Sequence, residues 1–330
     1  MEDHRGQFRE SPMIHWNLGS LGGLVLACLL TPGVSNANAP EPRTRIFLIP
    51  GAGSSADRIH VDGLDTGPWK AFKTRRYFGA LEDNLKKEGM PTQVCPRQAD
   101  DDTRSLSERA DDCAQEILKQ AGSCRKGKLR AFHLVGHSMG GLIARLLAQD
   151  ARVKNCIASV TSISTPHQGT PFADFFMDHL KLDQTSIDLY GRLAKATRFI
   201  PERKRYIPEL RVDRRGFANE LFRAQDTKNN PAVKYFSITA ALEGPTIHPL
   251  QLSKMILARE LRKRGLNRSP YGEQNDGIVP EYSMKHGTLL GRIISDHWST
   301  ACLDPLSRSE PCSRTIALLL PHLKALCGLK

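Results

Sequence analysis

The 330-residue sequence is poor in aromatic side chains, at 6%, and several familiar site patterns are missing from it. No cysteine and histidine spacing typical of a zinc site occurs. The glycine-rich turn after residues 45–50 lacks the Gly-Lys-Ser/Thr of a phosphate-binding loop. The sequence therefore predicts neither a metal site nor a cofactor.

The chain also lacks any nucleic-acid-binding motif, although its net charge of +12 would suit an anionic partner. Its basic residues are scattered and interleaved with acidic ones, as in residues 201–205 and 211–215. Together with the scarcity of aromatics, this pattern argues against nucleic acid as a partner. Association with anionic lipid surfaces remains open.

No apolar run is long enough for a comfortable membrane span. The run Leu18 to Leu30 is short and is followed by the small residues Ser35 to Ala39, as in a secretory signal with its cleavage site. We therefore predict a signal peptide over residues 1–39, one folded domain over residues 40–330, and a secreted or periplasmic protein. The sequence does not indicate an oligomeric state.

Cysteine usage agrees with export, since seven cysteines follow Cys28 and an oxidising compartment favours their pairing. Nearby cysteines suggest the pairs Cys113–Cys124 and Cys302–Cys312, although spacing alone does not determine connectivity. Because seven is an odd number, at least one of these cysteines stays free.

Strand and helix patterns alternate along most of the chain, which predicts a mostly parallel sheet with helices on both faces. The strand-like runs are 45–50, 91–96, 131–135, 157–163 and 233–239, and the helical runs include 68–89, 105–120 and 313–326. Ligands of such sheets bind beyond the carboxyl ends of the strands. Gly51, Ser138 and Thr165 all fall at that edge.

A predicted strand and a predicted helix meet at Gly136-His137-Ser138-Met139-Gly140, which is the pattern G-x-S-x-G in the context of a nucleophile elbow. Glycines allow the close backbone approach that a tight strand-to-helix turn needs. Such a turn raises the Ser138 hydroxyl above the sheet and places the Met139 N–H at a helix N-terminus, where negative charge is favoured. The alternative is a tightly packed turn without chemistry.

A serine nucleophile needs a base, and that base needs a group that orients it. The chain order Ser138, Asp276, His297 is the nucleophile–acid–histidine order of α/β-hydrolases. Asp296 adjoins His297 in sequence and is poorly directed toward the same imidazole, so Asp276 is the predicted orienting acid. Other histidines compete less well for the role of base: His133, His137, His167, His179, His248, His286 and His322.

The regular alternation stops between residues 171 and 232, where helical and irregular pieces precede the next strand. Phe172, Phe175 and Phe176 share one helical face at the start of this segment. They are either ordinary core residues or the apolar underside of a cap that holds an acyl chain. An insertion of this length at a catalytic edge is usually functional, so we predict a helical cap insertion.

The motifs together resemble those of the bacterial triacylglycerol lipases and their esterase relatives in the α/β-hydrolase superfamily. The resemblance covers about residues 45–300 and rests on residues 136–141, 164–170, 275–280 and 296–297. It implies the α/β-hydrolase fold, with Ser138 as nucleophile, His297 as general base and then acid, and Asp276 as its orienting residue. It also implies that the backbone N–H groups of Ala52 and Met139 form the oxyanion hole.

Two departures limit what the resemblance implies. The strand predicted to precede the oxyanion hole ends in Pro50-Gly51, where such lipases usually have His-Gly. A Pro-Gly pair at this position resembles the sequence of the lipid acyltransferase relatives. Many of these lipases bind calcium through an aspartate at the position that Ser299 occupies here. The resemblance therefore does not imply a calcium site in this chain.

The sequence thus predicts an exported serine hydrolase that cleaves carboxylic esters, above all acylglycerols, through an acyl-enzyme. Its partner would be a lipid or another ester substrate. Phospholipase, polyester depolymerase and lipid acyltransferase are the alternative enzymes, and a non-catalytic lipid-binding module is the alternative of a different class.

Overall fold

The computed structural model describes residues 45–52, 54–55, 58–59, 76–95, 104–125, 131–179, 206–212, 229–244, 250–268, 270–303 and 309–329. The predicted signal peptide lies outside the described residues, as do residues 180–205 and 213–228 of the predicted cap insertion. None of the helices that are described is both long enough and apolar enough to cross a membrane.

The strands are β1 (Arg45–Ile49), β2 (Ser54–Ser55), β3 (Arg58–Ile59), β4 (Thr92–Val94), β5 (Phe132–His137), β6 (Ile157–Ile163), β7 (Lys234–Ala241) and β8 (Thr288–Ile294). The α-helices are α1 (Gly79–Lys87), α2 (Leu106–Ala121), α3 (Met139–Leu147), α4 (Pro171–His179), α5 (Tyr206–Glu209), α6 (Gln251–Lys263), α7 (Glu281–Met284) and α8 (Glu310–Cys327). Short 3-10 turns follow at Leu266–Arg268 and Ser299–Ala301.

Six of the strands form one sheet in the order β4-β1-β5-β6-β7-β8, and every neighbouring pair is parallel. The short strands β2 and β3 pair with each other as an antiparallel hairpin. The predicted mostly parallel sheet is therefore confirmed. Because its strands run in one direction, their carboxyl ends meet at one edge, where Gly51, Ser138 and Ser164 follow the ends of β1, β5 and β6.

The sheet is covered on both faces because its strands are apolar on both sides. In β1, Phe47 and Ile49 join one core, which helices α2 and α3 cover, and Ile46 and Leu48 join the other, which helices α1 and α8 cover. All four side chains are fully buried, as expected for a central parallel strand. The continuous apolar run at residues 46–49 therefore follows directly from the two-sided burial.

The start of α2 follows from its sequence. Ser105 accepts a hydrogen bond from the Glu108 N–H, and the Glu108 carboxylate accepts one from the Ser105 N–H. This reciprocal capping box satisfies backbone donors that the first helical turn leaves open. The predicted helix start at Ser105 is confirmed to within one residue.

The disulfides only partly match the sequence prediction. Cys302 pairs with Cys312 as expected, but Cys113 pairs with Cys95 and Cys124 pairs with Cys156. The predicted pair Cys113–Cys124 is therefore wrong. Helix α2 continues beyond Cys113 to Ala121, a rise of about 12 Å, whereas a disulfide needs Cα atoms within about 7 Å. Of the described cysteines, Cys327 is free.

Candidate active site

Ser138 lies at the sharp turn between β5 and α3, with a φ of 55° and a mostly buried side chain. Only glycine fits on either side of this turn. A Cβ atom on Gly136 would lie 2.4 Å from the carbonyl carbon of Gly140, and one on Gly140 would lie 2.0 Å from the carbonyl oxygen of Ile49. A positive φ at a serine is strained, and the close packing of the surrounding backbone holds it there.

The structure brings Ser138, His297 and Asp276 together, although Ser138 and His297 are 159 positions apart along the chain. The Oγ atom of Ser138 lies 2.8 Å from Nε2 of His297. On the other side of the imidazole, Nδ1 lies 2.7 Å from Oδ2 of Asp276. A carboxylate only accepts hydrogen bonds, so Nδ1 carries the proton and leaves Nε2 free to accept the serine proton.

Backbone donors hold the Asp276 carboxylate in this position. Its Oδ1 atom accepts hydrogen bonds from the N–H groups of Ile278 at 3.0 Å and Val279 at 2.8 Å. The Asp276 carbonyl in turn accepts the His297 N–H at 2.9 Å. Asp276 is fully buried. One carboxylate oxygen therefore accepts hydrogen bonds from its own loop, and the other accepts one from the imidazole.

Asp296 has a different position, as the sequence predicts. Its carboxylate accepts the N–H groups of Trp298 at 3.0 Å and Ser299 at 3.1 Å, and also the Ser299 hydroxyl. Asp296 therefore stabilises the turn that follows His297 and does not orient the imidazole. Among the described residues, no group of three or more histidine, cysteine, aspartate or glutamate side chains could hold a metal ion.

Three other described histidines have partners of their own. His133 bonds the Ser159 hydroxyl at 2.8 Å, and His167 bonds the Ser162 hydroxyl at 2.9 Å and has its ring centroid 4.7 Å from that of His286. Burial lowers the pKa of His133 to about 4 and that of His286 to about 3. Burial and the neighbouring Arg145 charge also hold the pKa of His167 well below its usual value. These imidazoles are neutral at pH 7.

The two predicted oxyanion donors belong to segments that meet at Ser138. Met139 is the first residue of α3, and Ala52 follows Gly51 just beyond β1. Gly51 packs directly against Ser138, because a Cβ atom at position 51 would lie 2.7 Å from Cβ of Ser138. Thr165, the third predicted residue of this edge, packs on the same helix start, since a Cβ on Gly141 would lie 2.0 Å from its Oγ1.

Helix α4 contains the phenylalanines that the sequence assigns to the cap. Phe172 and Phe175 are partly exposed, and the side chain of Phe176 lies outside the described residues. The fully buried residues of α4 include Asp174, whose carboxylate lies 3.1 Å from Nε of Arg211 and 3.2 Å from Nη1 of Arg264. Sequence reasoning missed this ion-paired anchor because nothing local marks Asp174 as buried.

Comparisons with known proteins agree with this architecture. A family model described as a PGAP1-like alpha/beta domain matches residues 101–202. A triacylglycerol lipase of Pseudarthrobacter phenanthrenivorans is 33% identical over 132 residues, which are 39% of this chain and 39% of that protein. A triacylglycerol lipase of Burkholderia plantarii is likewise 33% identical over 132 residues, 39% of this chain and 34% of that protein.

Solved structures with low sequence identity share the fold. The mature form of the Bacillus licheniformis lipase BlEst2 has a TM-score of 0.52 at 17% identity, over 84% of this chain and 92% of that chain. The Staphylococcus hyicus lipase has a TM-score of 0.50 at 17% identity, over 88% of this chain and 97% of that chain.

The sheet, the turn at Ser138 and these structural matches show that the chain has the α/β-hydrolase fold. Over part of its length the chain is similar to triacylglycerol lipases, in agreement with the resemblance that its sequence motifs suggest. The matched segment spans a little over a third of the length of the curated triacylglycerol lipases.

Proposed function

We propose that the protein is a serine hydrolase that cleaves carboxylic esters through an acyl-enzyme on Ser138. The observation that carries this proposal is the continuous hydrogen-bonded series from the Ser138 hydroxyl through His297 to Asp276. Its geometry is that of an activated nucleophile, a base and a group that orients the base. The lipase and esterase relatives support the same class of reaction.

The arrangement supports a two-step reaction. Ser138 Oγ attacks the ester carbonyl while Nε2 of His297 takes the serine proton, and Asp276 stabilises the resulting imidazolium. The N–H groups of Ala52 and Met139 would stabilise the developing oxyanion, a contribution of about 3 kcal/mol for one such donor. His297 then protonates the departing alcohol, water attacks the acyl-enzyme with His297 as base, and the carboxylic acid leaves.

Acylglycerols are the proposed substrates, because the curated relatives are triacylglycerol lipases. Phe172 and Phe175, partly exposed on α4, would contact the acyl chain as part of a cap over residues 171–232. Pro50-Gly51 keeps acyl transfer to an alcohol as the second candidate, since the same acyl-enzyme can react with either acceptor. Phospholipid and polyester hydrolysis would use the same residues.

We also propose that the protein is exported. Three disulfides join described cysteines, and such bonds persist mainly in oxidising compartments. Residues 1–39, with their apolar run Leu18 to Leu30, would be the signal that is removed, leaving residues 40–330 as the catalytic domain. N-terminal sequencing of the protein recovered from the periplasm or medium tests this, and an intact residue 1 there would contradict it.

The test of the reaction is a panel of short esters, long-chain triacylglycerols, phospholipids and a polyester, with Ser138→Ala as the control. We expect the wild type to hydrolyse esters and to be labelled by a fluorophosphonate, and Ser138→Ala to lose both, with kcat lower by about 10⁶-fold. Full hydrolysis by Ser138→Ala would overturn the proposal. An added alcohol that yields an alkyl ester as the main product would favour acyl transfer.

Helix α6 is the proposed site of contact with a lipid surface. Leu252 and Met255, one helical turn apart, are 56% and 61% exposed, and the helix starts beside the Asp276 loop, where Leu250 contacts Gly277. Its basic residues would favour an anionic surface: Lys254, Arg259, Arg262 and Lys263.

Flotation with phosphatidylglycerol vesicles tests this contact, in the Ser138→Ala background so that lipid stays intact. We expect Met255→Glu to weaken binding about tenfold, since burial of such a side chain contributes about 1.5 kcal/mol. Leu289→Glu is the matched control, because Leu289 is 37% exposed near the amino end of β8, at the opposite edge of the sheet. Equal losses in both variants would contradict the assignment.

A further inference from the structure

A second hydrogen-bonded series passes through His137, the residue before Ser138, and includes no side chain of Ser138, Asp276 or His297. The hydroxyl of Tyr77 lies 2.7 Å from Nδ1 of His137, the residue before the nucleophile. On the far side of the ring, Nε2 of His137 lies 2.9 Å from the carbonyl oxygen of His297 and 2.9 Å from Oγ1 of Thr300. Tyr77, His137 and Thr300 are all buried.

The groups at the two ends of this series determine which atom donates in each of its hydrogen bonds. The backbone of Gly51 bonds the Tyr77 hydroxyl, and because it lowers the pKa of that phenol it acts there as an N–H donor. Tyr77 then donates its own proton to Nδ1 of His137. At the other end the His297 carbonyl can only accept, so Nε2 of His137 carries the ring proton.

The remaining contacts agree with this direction. Thr300 Oγ1 donates to the His297 carbonyl at 2.7 Å, which leaves its lone pairs to accept from Nε2 of His137. Burial and the nearby His297 hold the pKa of His137 well below its usual value, and burial raises the pKa of Tyr77. Both side chains are therefore neutral at pH 7, as the series requires.

The series joins the two loops on which the proposed reaction depends. At one end it holds Gly51, the residue before the proposed oxyanion donor Ala52; at the other it holds the backbone of His297. It also accounts for glycine at position 51, since a Cβ atom there would lie 2.8 Å from the Tyr77 hydroxyl. The His137 and His297 rings lie side by side, with centroids 4.8 Å apart.

We propose that Tyr77 and His137 are positioning residues, which hold the oxyanion loop at Gly51 and the catalytic histidine loop at His297 in fixed positions on either side of Ser138. The inference rests on the proposed ester hydrolysis. The oxyanion donors and the His297 imidazole act most strongly in the transition state. Displacing them therefore lowers kcat and leaves ground-state binding of the ester nearly unchanged.

The first experiment removes a single oxygen atom with Tyr77→Phe and measures hydrolysis of a short soluble ester. We expect kcat to fall about tenfold, as for a small displacement of catalytic groups, while KM stays within about a factor of two. Tyr282→Phe is the matched control, because the Tyr282 hydroxyl is also buried and has no hydrogen-bond partner among the described residues. A kcat loss below about threefold in Tyr77→Phe, or one that Tyr282→Phe equals, would overturn the proposal.

A double variant distinguishes the loss of one shared positioning series from two independent effects of the single substitutions. Tyr77→Phe and Thr300→Val remove hydrogen bonds at opposite ends of the His137 ring. If one series holds both loops, the second break costs less after the first, so the loss of kcat in the double variant is smaller than the product of the two single losses. A loss equal to that product would overturn the proposal.

A third measurement does not depend on activity. Nitrogen-15 NMR of histidine-labelled protein reports which ring nitrogen of His137 carries the proton, and we expect Nε2–H from pH 5 to pH 8. A protonated Nδ1 would overturn the series itself. A wild type that hydrolyses no ester but shows the expected tautomer would contradict the proposed function and leave the hydrogen-bonded series in place.

Discussion

Asp276 and Asp296 both lie close to His297 in the structure, yet only one of them bonds its side chain. Asp276 contacts Nδ1 at 2.7 Å, whereas the Asp296 carboxylate accepts hydrogen bonds from Trp298 and Ser299. The difference follows from backbone geometry, because a side chain cannot readily turn back onto its immediate neighbour. At the scale of single residues, these two aspartates therefore form a natural pair for comparison.

Replacement of the orienting carboxylate tests this assignment. In Asp276→Asn the amide can present a donor to the imidazole, which favours the wrong tautomer, so we expect kcat for a soluble ester to fall by about 10⁴-fold. In Asp296→Asn we expect a lower melting temperature and a kcat loss of at most about tenfold, because the turn after His297 loses charge-assisted hydrogen bonds. Steady-state kinetics and thermal melts of both variants check this; equal kcat losses would contradict it.

Helix α4 shows how one buried carboxylate attaches an element to its neighbours. Its Asp174 is fully buried between Arg211 and Arg264, and the Val212 N–H also donates to its carboxylate at 3.0 Å. These partners lie at the end of α5 and just beyond α6, so one carboxylate connects three helical segments. Asp178, on the same helix, is 46% exposed and contacts Arg211 at 3.0 Å.

Charge removal at these two aspartates is expected to differ in cost. Asp174→Asn leaves two buried or partly buried guanidinium groups without their shared counter-charge, so we expect the free energy of unfolding to fall by about 3 kcal/mol. Asp178→Asn removes an exposed pair and is expected to cost less than about 1 kcal/mol. Urea denaturation of both variants provides the comparison. Similar midpoints for the two variants would rule out a structural anchor at Asp174.

At the scale of the whole molecule, we expect buried neutral histidines to contribute to the loss of stability in acid. An unfolded histidine binds a proton near pH 6.5, whereas burial, with smaller effects of His322 and Lys234, lowers the pKa of His133 to about 4. Between these values the unfolded state binds more protons. The stability contribution is therefore complete above pH 6.5 and is lost as the pH falls toward 4.

The variant His133→Asn isolates this effect, since asparagine can still bond Ser159 but does not titrate. Between pH 7 and pH 4.5 we expect the wild type to lose about 2 kcal/mol more of its free energy of unfolding than the variant does. Denaturant melts across this pH range measure the difference. Parallel curves for the two proteins would show that His133 does not contribute to acid sensitivity.

Much of the site was accessible from the sequence because its signals are local. The G-x-S-x-G turn identifies Ser138 through steric requirements that only its neighbouring glycines meet, and apolar runs such as residues 46–49 predict a strand buried on both faces. Chain order and loop context then select Asp276 and His297 among several aspartates and histidines. The capping box at Ser105 is equally local, and the structure reproduces it.

Other features depend on which distant segments pack together, and local sequence does not carry that information. The sequence alone determined the sheet, the tight turn at Ser138 and the residues expected around it, because strand burial, tight turns and helix caps depend on nearby residues. Only the tertiary structure decided the pairing of Cys113 with Cys95, the burial of Asp174 and the contact of Tyr77 with His137. These contacts join residues that are 18 to 90 positions apart, and packing of the distant segments brings them together.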